Sequence, residues 1–316
     1  MRTLLLALIS LACAPALAQT YPTKAIQIIV PLAPGGGTDL LARVIADKLR
    51  EKFGQPVTVE NRSGAAGNIG ADAVYKAAPD GHTLLFTQPA PLVVNKALYG
   101  KLTFEPEQLV PVAIVSLQDI MLAVNPKVPA NNLSELISYA KANPGKLNFG
   151  SSGAGSAPHL AAELFASMAG VKMVHVPYKG SGESQAATLA GHVDLTFFAF
   201  STALRHTKAG KLRAIAVGGA RRNPQAPDVP SISEALPGYS AASWTALVAP
   251  PNTPAPVVRT LADAISGIVK MPDVQKRLVD AGDEPADMTP AQMAAFLREE
   301  RQRWSTLIKD LGIEAK

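Results

Sequence analysis

Two glycine-rich segments carry the residues that could do chemistry. The first, Gly35-Gly36-Gly37-Thr38-Asp39, joins an apolar run, Ile26 to Val30, to a periodic one that starts near Asp39. Glycines remove the Cβ atoms and let a backbone approach a ligand closely. A helix that starts there presents unpaired N–H groups and the positive end of its dipole. Those N–H groups and the Thr38 hydroxyl suit a carboxylate, although a tight strand-to-helix turn also favours glycine. The segment is not a dinucleotide fingerprint, because Leu40 stands where the last glycine should be, and no lysine follows as it would in a phosphate-binding loop. The second segment, Gly150-Ser151-Ser152-Gly153-Ala154-Gly155-Ser156, adds hydroxyls to the glycines. A nucleophile elbow would need glycine at Ala154. His159, just beyond, is open to three readings: a base for Ser152 or Ser156, a cap on the following helix, or a packed ring. His159 and Glu163 share a helix face at i, i+4, but no third metal ligand accompanies them.

Further candidates follow. Gly64-Ala65-Ala66-Gly67 forms another glycine-bounded turn. Tyr178-Lys179-Gly180 brings an ammonium to a strand end, where Lys179 either pairs with a ligand carboxylate or sits in solvent. Asp194 lies inside an apolar strand, Val193 to Phe198, where an acid is costly unless hydrogen bonded. Its partners are either backbone N–H groups or a ligand hydroxyl or amine. Arg43, one turn into the first helix, reads as a brace for the loop or a solvent-facing side chain, not as a ligand contact.

The elements that must position these groups form a repeat. IQIIVPLAPGGGTDLLARVIADKL, residues 26–49, and LNFGSSGAGSAPHLAAELFASMAG, residues 147–170, each run from a strand through a glycine-rich turn into an amphipathic helix. Each then reaches a second strand, a second glycine-rich turn and a Gly-His step into a third strand. Leu40, Leu41, Val44, Ile45 and Leu49 recur at helical spacing. Thr38 or Asp39 is the expected N-cap and Gly54 the stop. Alternating strands and helices predict mostly parallel sheets covered on both faces. Three helices close the chain, Pro256 to Lys270, Pro272 to Ala281 and Pro290 to Leu311, and are expected to pack back on the first unit. The chain then crosses between units near residues 120 and 245, which makes a hinge with a cleft for a ligand. The expected division is residues 1–18 as a signal, 19–120 with 246–316 as lobe 1, and 121–245 as lobe 2. Facing helix N-termini from two lobes would clamp a small anion.

Residues 1–18 have the form of an export signal: Arg2, an apolar run from Leu4 to Leu11, and Ala16-Leu17-Ala18 before Gln19. The run is too short to span a bilayer. Cys13 is the only cysteine and would leave with the signal, so no disulfide, thiol nucleophile or cysteine metal site is expected afterwards. The formal charge of +5 falls to about +4 without Arg2. Aromatic residues make up 5% and are not interleaved with basic ones, which argues against nucleic acid.

In combination and order, several segments resemble the substrate-binding proteins of tripartite tricarboxylate transporters, the Bug family of periplasmic solute receptors. They are Pro31 to Asp39, Glu60-Asn61-Arg62-Ser63-Gly64-Ala65-Ala66-Gly67-Asn68-Ile69-Gly70, Asn148 to Gly153, His159-Leu160-Ala161-Ala162-Glu163 and Val176-Pro177-Tyr178-Lys179-Gly180. The resemblance spans nearly the whole chain after the signal. It implies an α/β, two-lobed Venus-flytrap protein of type II, monomeric, without cofactor or metal, located in the periplasm. It implies a small organic acid as ligand: a mono- or dicarboxylate, an aromatic acid or an amino acid. A membrane permease with one large and one small subunit would be the partner. Carried over, the contacts fall on Gly35, Gly36, Gly37, Thr38 and Asp39; on Gly64, Ala65, Ala66 and Gly67; on Ser151, Ser152, Gly153, Ser156 and His159; and on Lys179, Gly180 and Asp194. The rival readings are an exported hydrolase or lyase that uses His159 with Ser152 or Ser156, and a solute sensor on the same fold.

Overall fold

A computed structural model describes residues 21–313. The segment read as an export signal, with Cys13, lies outside the described residues. The first strands and helices are β1 (Ile26–Val30), α1 (Gly37–Phe53), β2 (Val57–Asn61), α2 (Asn68–Tyr75) and β3 (Thr83–Thr87). β1 lies parallel between β2 and β3. Ile26, Ile28, Ile29 and Val30 are all buried, as a strand covered on both faces requires. α1 turns Leu41, Ala42, Ile45, Ala46 and Leu49 inward at helical spacing. Gly54 ends it in the left-handed conformation at φ 66°. The N-cap is Gly36, and no side chain caps it. The helix therefore starts earlier than Thr38 or Asp39 suggests.

A π-helical turn at Ala90–Val94 and α3 (Asn95–Tyr99) lead to β4 (Val110–Gln118) and β5 (Ile120–Val124). Next come α4 (Leu133–Ala142), β6 (Asn148–Ser151), α5 (Ala157–Ala169), β7 (Val174–Pro177) and α6 (Ser181–Ala190). β8 (Leu195–Ala199), α7 (Phe200–Lys208), β9 (Arg213–Val217) and β10 (Ser243–Ala249) follow. The chain closes with α8 (Ala255–Val269), α9 (Pro272–Ala281), β11 (Asp283–Pro285) and α10 (Pro290–Leu311). One sheet has the order β11-β4-β10-β3-β1-β2 and the other β7-β6-β8-β5-β9. The bodies around them are lobe 1 and lobe 2. α8 and α10 pack on β4, so the C-terminal helices return to lobe 1.

Both sheets are mostly parallel, as the alternation of strands and helices predicts, with antiparallel strands set among them. β10 runs antiparallel to β3 and β4, and β5 antiparallel to β8 and β9. The reason is the crossing. β4 leaves lobe 1 at the edge where β1 and β3 end. β5 then enters lobe 2 from that same edge and must oppose the strands that end there; β10 does the same on the way back.

A single residue, Asp119, separates β4 from β5. Its Oδ1 accepts the Ile120 N–H at 2.8 Å and the Gly219 N–H at 2.9 Å, and its Oδ2 accepts the Asn223 amide at 3.3 Å. The Ala241 N–H donates to the Gly218 carbonyl at 2.9 Å. The two crossings therefore lie side by side. Burial pushes the Asp119 carboxyl up to about 6 against these hydrogen bonds. One buried apolar cluster includes Ile29 and Leu85 of lobe 1, Phe149 and Leu160 of lobe 2, and Leu98 and Trp244. The outer faces of the lobes have separate clusters.

Candidate ligand cleft

The parallel strands of each sheet end at the same edge, where the lobes meet, and a cavity of about 560 Å³ lies there. Lobe 1 supplies Leu32 after β1, Ala66 after β2, Gln88 after β3, Asn95 and Leu98 of α3, and Trp304 of α10. Lobe 2 supplies Ser152, Gly155, Ser156, Leu160 and Ser181, and the returning crossing supplies Ala241, Ala242 and Ser243. A larger groove of about 1100 Å³ lies on lobe 1 alone, beside α10 and the π-helical turn. It touches neither the strand ends nor lobe 2, so the smaller, two-lobed cavity is the candidate site. Open α/β sheets bind ligands outside the carboxyl ends of their strands.

The sequence repeat becomes a structural one. In lobe 1 the Gly35 N–H donates to Asp39 Oδ2 at 2.9 Å; in lobe 2 the Gly155 N–H donates to His159 Nδ1 at 2.9 Å. Gly35 and Gly155 both adopt left-handed backbone, at φ 85° and 73°, which favours glycine. In each loop, then, the third residue of the helix reaches back to fix the turn before it. Asp39 is buried and further held by Arg43, at 3.0 and 3.1 Å, and by the Asn61 amide at 2.9 Å. Burial alone would raise its carboxyl. The Arg43 guanidinium, the Gly35 N–H and the Asn61 amide outweigh burial and hold it below the usual carboxylate range.

In lobe 2 the holder is an imidazole. The His159 ring lies 3.9 Å from the His175 ring at an angle of 13°, and Phe149 stacks on His175 at 5.0 Å. His159 Nε2 lies 3.5 Å from Glu163. His175 Nε2 is 2.6 Å from Ser151 Oγ, which also accepts the Gly153 N–H at 3.1 Å. Burial, and secondarily His159, push the His175 imidazole down to about 4, so it is neutral at pH 7.

The turn at Gly64–Gly67 holds four successive positive φ angles: Gly64 125°, Ala65 46°, Ala66 53° and Gly67 90°. Left-handed backbone costs an alanine roughly 1–2 kcal/mol. The buried Asn95 holds the turn by donating to the Ala66 carbonyl at 3.0 Å and to Asn68 Oδ1 at 2.7 Å. Strain of this kind collects at ligand clamps. In the first glycine-rich loop, Thr38 Oγ1 is buried with no hydrogen-bond partner among the described residues.

Of the residues singled out in the sequence, Ala66, Ser152 and Ser156 line the cavity. Gly35, Gly36 and Gly37 are exposed and continue outward from Leu32, while Thr38 and Asp39 are buried within the loop. The chain leaves the cavity wall before it reaches these residues. Gly64 and Ala65 are exposed, and Gly67 is packed beneath Pro91 and Pro31. Ser151 and His159 lie behind the lobe 2 loop as supports, with Gly153 between them. The Lys179 side chain is exposed, its N–H donates to Glu183 Oε2 at 3.2 Å, and Gly180 is the N-cap of α6.

Asp194 is a correction. It precedes β8 at the end away from the cavity, and it accepts the Asn148 N–H at 2.9 Å. An acid at the start of that strand ties β8 to β6 and does not face ligand. The structure does not pair His159 with either serine. The His159 ring nitrogens face Gly155 and Glu163, and the Ser156 hydroxyl donates to the Gly153 carbonyl at 2.7 Å. Neither Ser152 nor Ser156 has a hydrogen bond to His159. Sequence reading missed Gln88, Asn95, Leu98, Trp304 and Ala241–Ser243. The end of β3 at Thr87 was the available signal for Gln88.

The model of the tripartite tricarboxylate transporter family receptor matches residues 41–313. Protein BugT of Bordetella pertussis is 38% identical over 306 residues, covering 96% of this chain and 94% of that protein. Among solved structures, R. palustris Rpa4515 with adipate superposes with a TM-score of 0.78 at 35% identity, covering 93% of this chain and 99% of the other. MatC from Rhodopseudomonas palustris with bound malate gives 0.74 at 33% identity, covering 91% and 100%. Among the described residues no helix is long and apolar enough to cross a membrane. Family, fold and cleft agree: this chain belongs to the tripartite tricarboxylate transporter family of receptors, two-lobed solute-binding proteins of the periplasm that are not enzymes.

Proposed function

We propose that this protein captures a small organic acid in the cleft between its lobes and delivers it to a tripartite membrane permease with one large and one small subunit. The observation that carries the reading is the cavity walled by both lobes, with the Ser152–Ala157 helix start and Ala66 of the strained Gly64–Gly67 turn in its wall and the Gly35–Thr38 helix start beyond Leu32. The Gly36, Gly37 and Thr38 N–H groups on one side and Ala154 and Ala157 on the other have no protein acceptor among the described residues. Such donors suit a carboxylate. The adipate and malate of the related structures support that ligand class. On this reading the protein works as a monomer in the periplasm after residues 1–18 are removed, with residues 19–120 and 246–316 in lobe 1 and 121–245 in lobe 2.

A thermal-shift screen of mono- and dicarboxylates, aromatic acids and amino acids tests it. A ligand at 100 times its dissociation constant adds about 2.7 kcal/mol of stability. The best ligand, incubated and then weighed by mass spectrometry, should return unchanged. Turnover abolished by His159→Ala, or no stabilisation by any acid, would overturn the proposal.

A further inference from the structure

The two lobes fix equivalent turns with chemically different holders. We propose that His159 is the positioning residue of the lobe 2 ligand loop, and that protonation at its Nδ1 releases the Gly155 N–H and weakens ligand capture. This inference rests on the reading of the cleft as the ligand site.

The Gly155 N–H points at a ring nitrogen 2.9 Å away, which can accept only while it carries no proton. In lobe 1 the same N–H meets the Asp39 carboxylate, clamped by Arg43 and Asn61. A carboxylate so held keeps its acceptor at any pH where the protein is folded and near neutral. An imidazole does not, because histidine changes charge within the range that proteins meet in use. Gly155 lines the cavity, as do Ser152 and Ser156 on either side of it, so what frees Gly155 disturbs three wall residues together.

The surroundings of His159 decide where a proton would go. Glu163, on the same helix, lies 3.5 Å from Nε2 and favours a charged ring. His175, on β7, faces it at 3.9 Å, and β6 contributes the neutral Phe149 ring. Two stacked imidazoles at this distance resist carrying two positive charges. His175 has lost its affinity for protons to burial and lacks the direct carboxylate contact that His159 has. Of the two stacked rings, His159 is the one with a carboxylate at its Nε2, so the proposed proton belongs on that ring. With Nε2 turned to Glu163, the doubly protonated ring sets an N–H at Nδ1 against the N–H of Gly155. The loop must give way.

The test uses two isosteric variants and two probes, adipate and benzoate. His159→Asn places a carbonyl oxygen where Nδ1 stands and does not titrate. His159→Gln places it near Nε2, out of reach of Gly155. Affinity is measured by calorimetry from about pH 8 to about pH 5.5. Dividing each variant's value by that of the wild type cancels the probe's own titration. His159→Asn should match the wild type at the alkaline end and exceed it by about threefold to tenfold at the acid end, the equivalent of one hydrogen bond. His159→Gln should be weak throughout. Independently, the Gly155 amide resonance of the ligand-free wild type should shift with pH together with the His159 ring, and should be still in His159→Asn. A Gly155 amide indifferent to pH, or a constant ratio between the His159→Asn variant and wild type, overturns the proposal, and neither needs a variant that folds poorly to be interpreted alone. If the amide responds but neither probe binds at any pH, the positioning role stands and the carboxylate reading is what falls.

Discussion

Gly155→Ala should prop the clamp open, and the structure separates its two penalties. A Cβ built on Gly155 would lie 2.3 Å from Leu98 Cδ1 and 3.3 Å from Cδ2, across the cleft in the other lobe. The backbone there has φ 73°, a conformation an alanine resists. The backbone penalty, roughly 1–2 kcal/mol, is present whether the lobes are together or apart. It should lower the melting temperature by several degrees. The wedge against Leu98 exists only when the lobes touch. Overpacking of this kind costs about 1–3 kcal/mol, which is about a 5- to 150-fold loss of affinity. Leu98 can rotate part of the way, so the lower half of that range is expected. The assay is calorimetry with the best acid from the screen, with small-angle scattering to follow compaction on binding. Adding Leu98→Ala removes the wedge but leaves the backbone strain. Affinity should recover relative to the Leu98→Ala single variant, while the melting temperature should not. If Gly155→Ala costs the same affinity in the Leu98→Ala background as in the wild type, the contact is not part of closure and the reasoning fails.

Two further outcomes are expected. Gly36→Val and Gly37→Val should leave the melting temperature near that of the wild type, since an added Cβ at either site meets nothing closer than 3.9 Å and neither residue has positive φ. Affinity for the best acid should nevertheless fall about tenfold or more, as expected where a lost hydrogen bond to a charged group is worth roughly 1.5–3 kcal/mol; unchanged calorimetry would make these glycines a turn device only. For Asp119, the folded carboxyl titrates near 6 and the unfolded one near about 3.9. Between those values the folded state binds more protons, so stability falls as pH rises. Melting curves should therefore shift in favour of Asp119→Asn between about pH 4 and about pH 6 and hold a constant difference above. A gap that does not change over that window would show that the hinge carboxyl is no harder to ionise than a free one.

Much of the fold was legible because periodicity reports burial. The run Ile26–Val30 and the α1 stripe from Leu41 to Leu49 needed only the alternation of strand and helix. The mostly parallel character of both sheets followed from that alternation, but the antiparallel strands within them did not, because β5 and β10 look like any other buried strand. Their direction is set by the crossing and by nothing in their own residues. The lobe 2 wall was readable from its hydroxyls, as Ser152 and Ser156 show. Leu98 and Trp304 were not, because a leucine in a short helix and a tryptophan in a long one reveal no partner until the lobes are brought together. Asp194 misled for a related reason. An acid in an apolar strand signals a bonded partner, but only the strand's polarity shows that the partner is Asn148 at the far edge. The resemblance places Asp39 and His159 among the ligand contacts; their position three residues into a helix makes them holders of the loop.

The place of β10 in the first sheet has a consequence for how the molecule is made. β10 lies between β3 and β4, so β4 and β11 join β1, β2 and β3 only through β10. The strands of the second sheet all fall between Ile120 and Val217. As the chain is extended from its N-terminus, lobe 2 can therefore finish while lobe 1 still lacks its central strand. The pairing of Phe86 with Leu247 closes a loop of roughly 160 residues, which for an unstructured chain is a slow and entropically costly step. A folded lobe 2 shortens that loop by holding its own ends, Asp119 and Gly219, within a hydrogen bond of each other. Assembly is ordered by topology: the inserted lobe acts as a template, the split lobe closes around it, and the cleft between them is the last part of the molecule to exist.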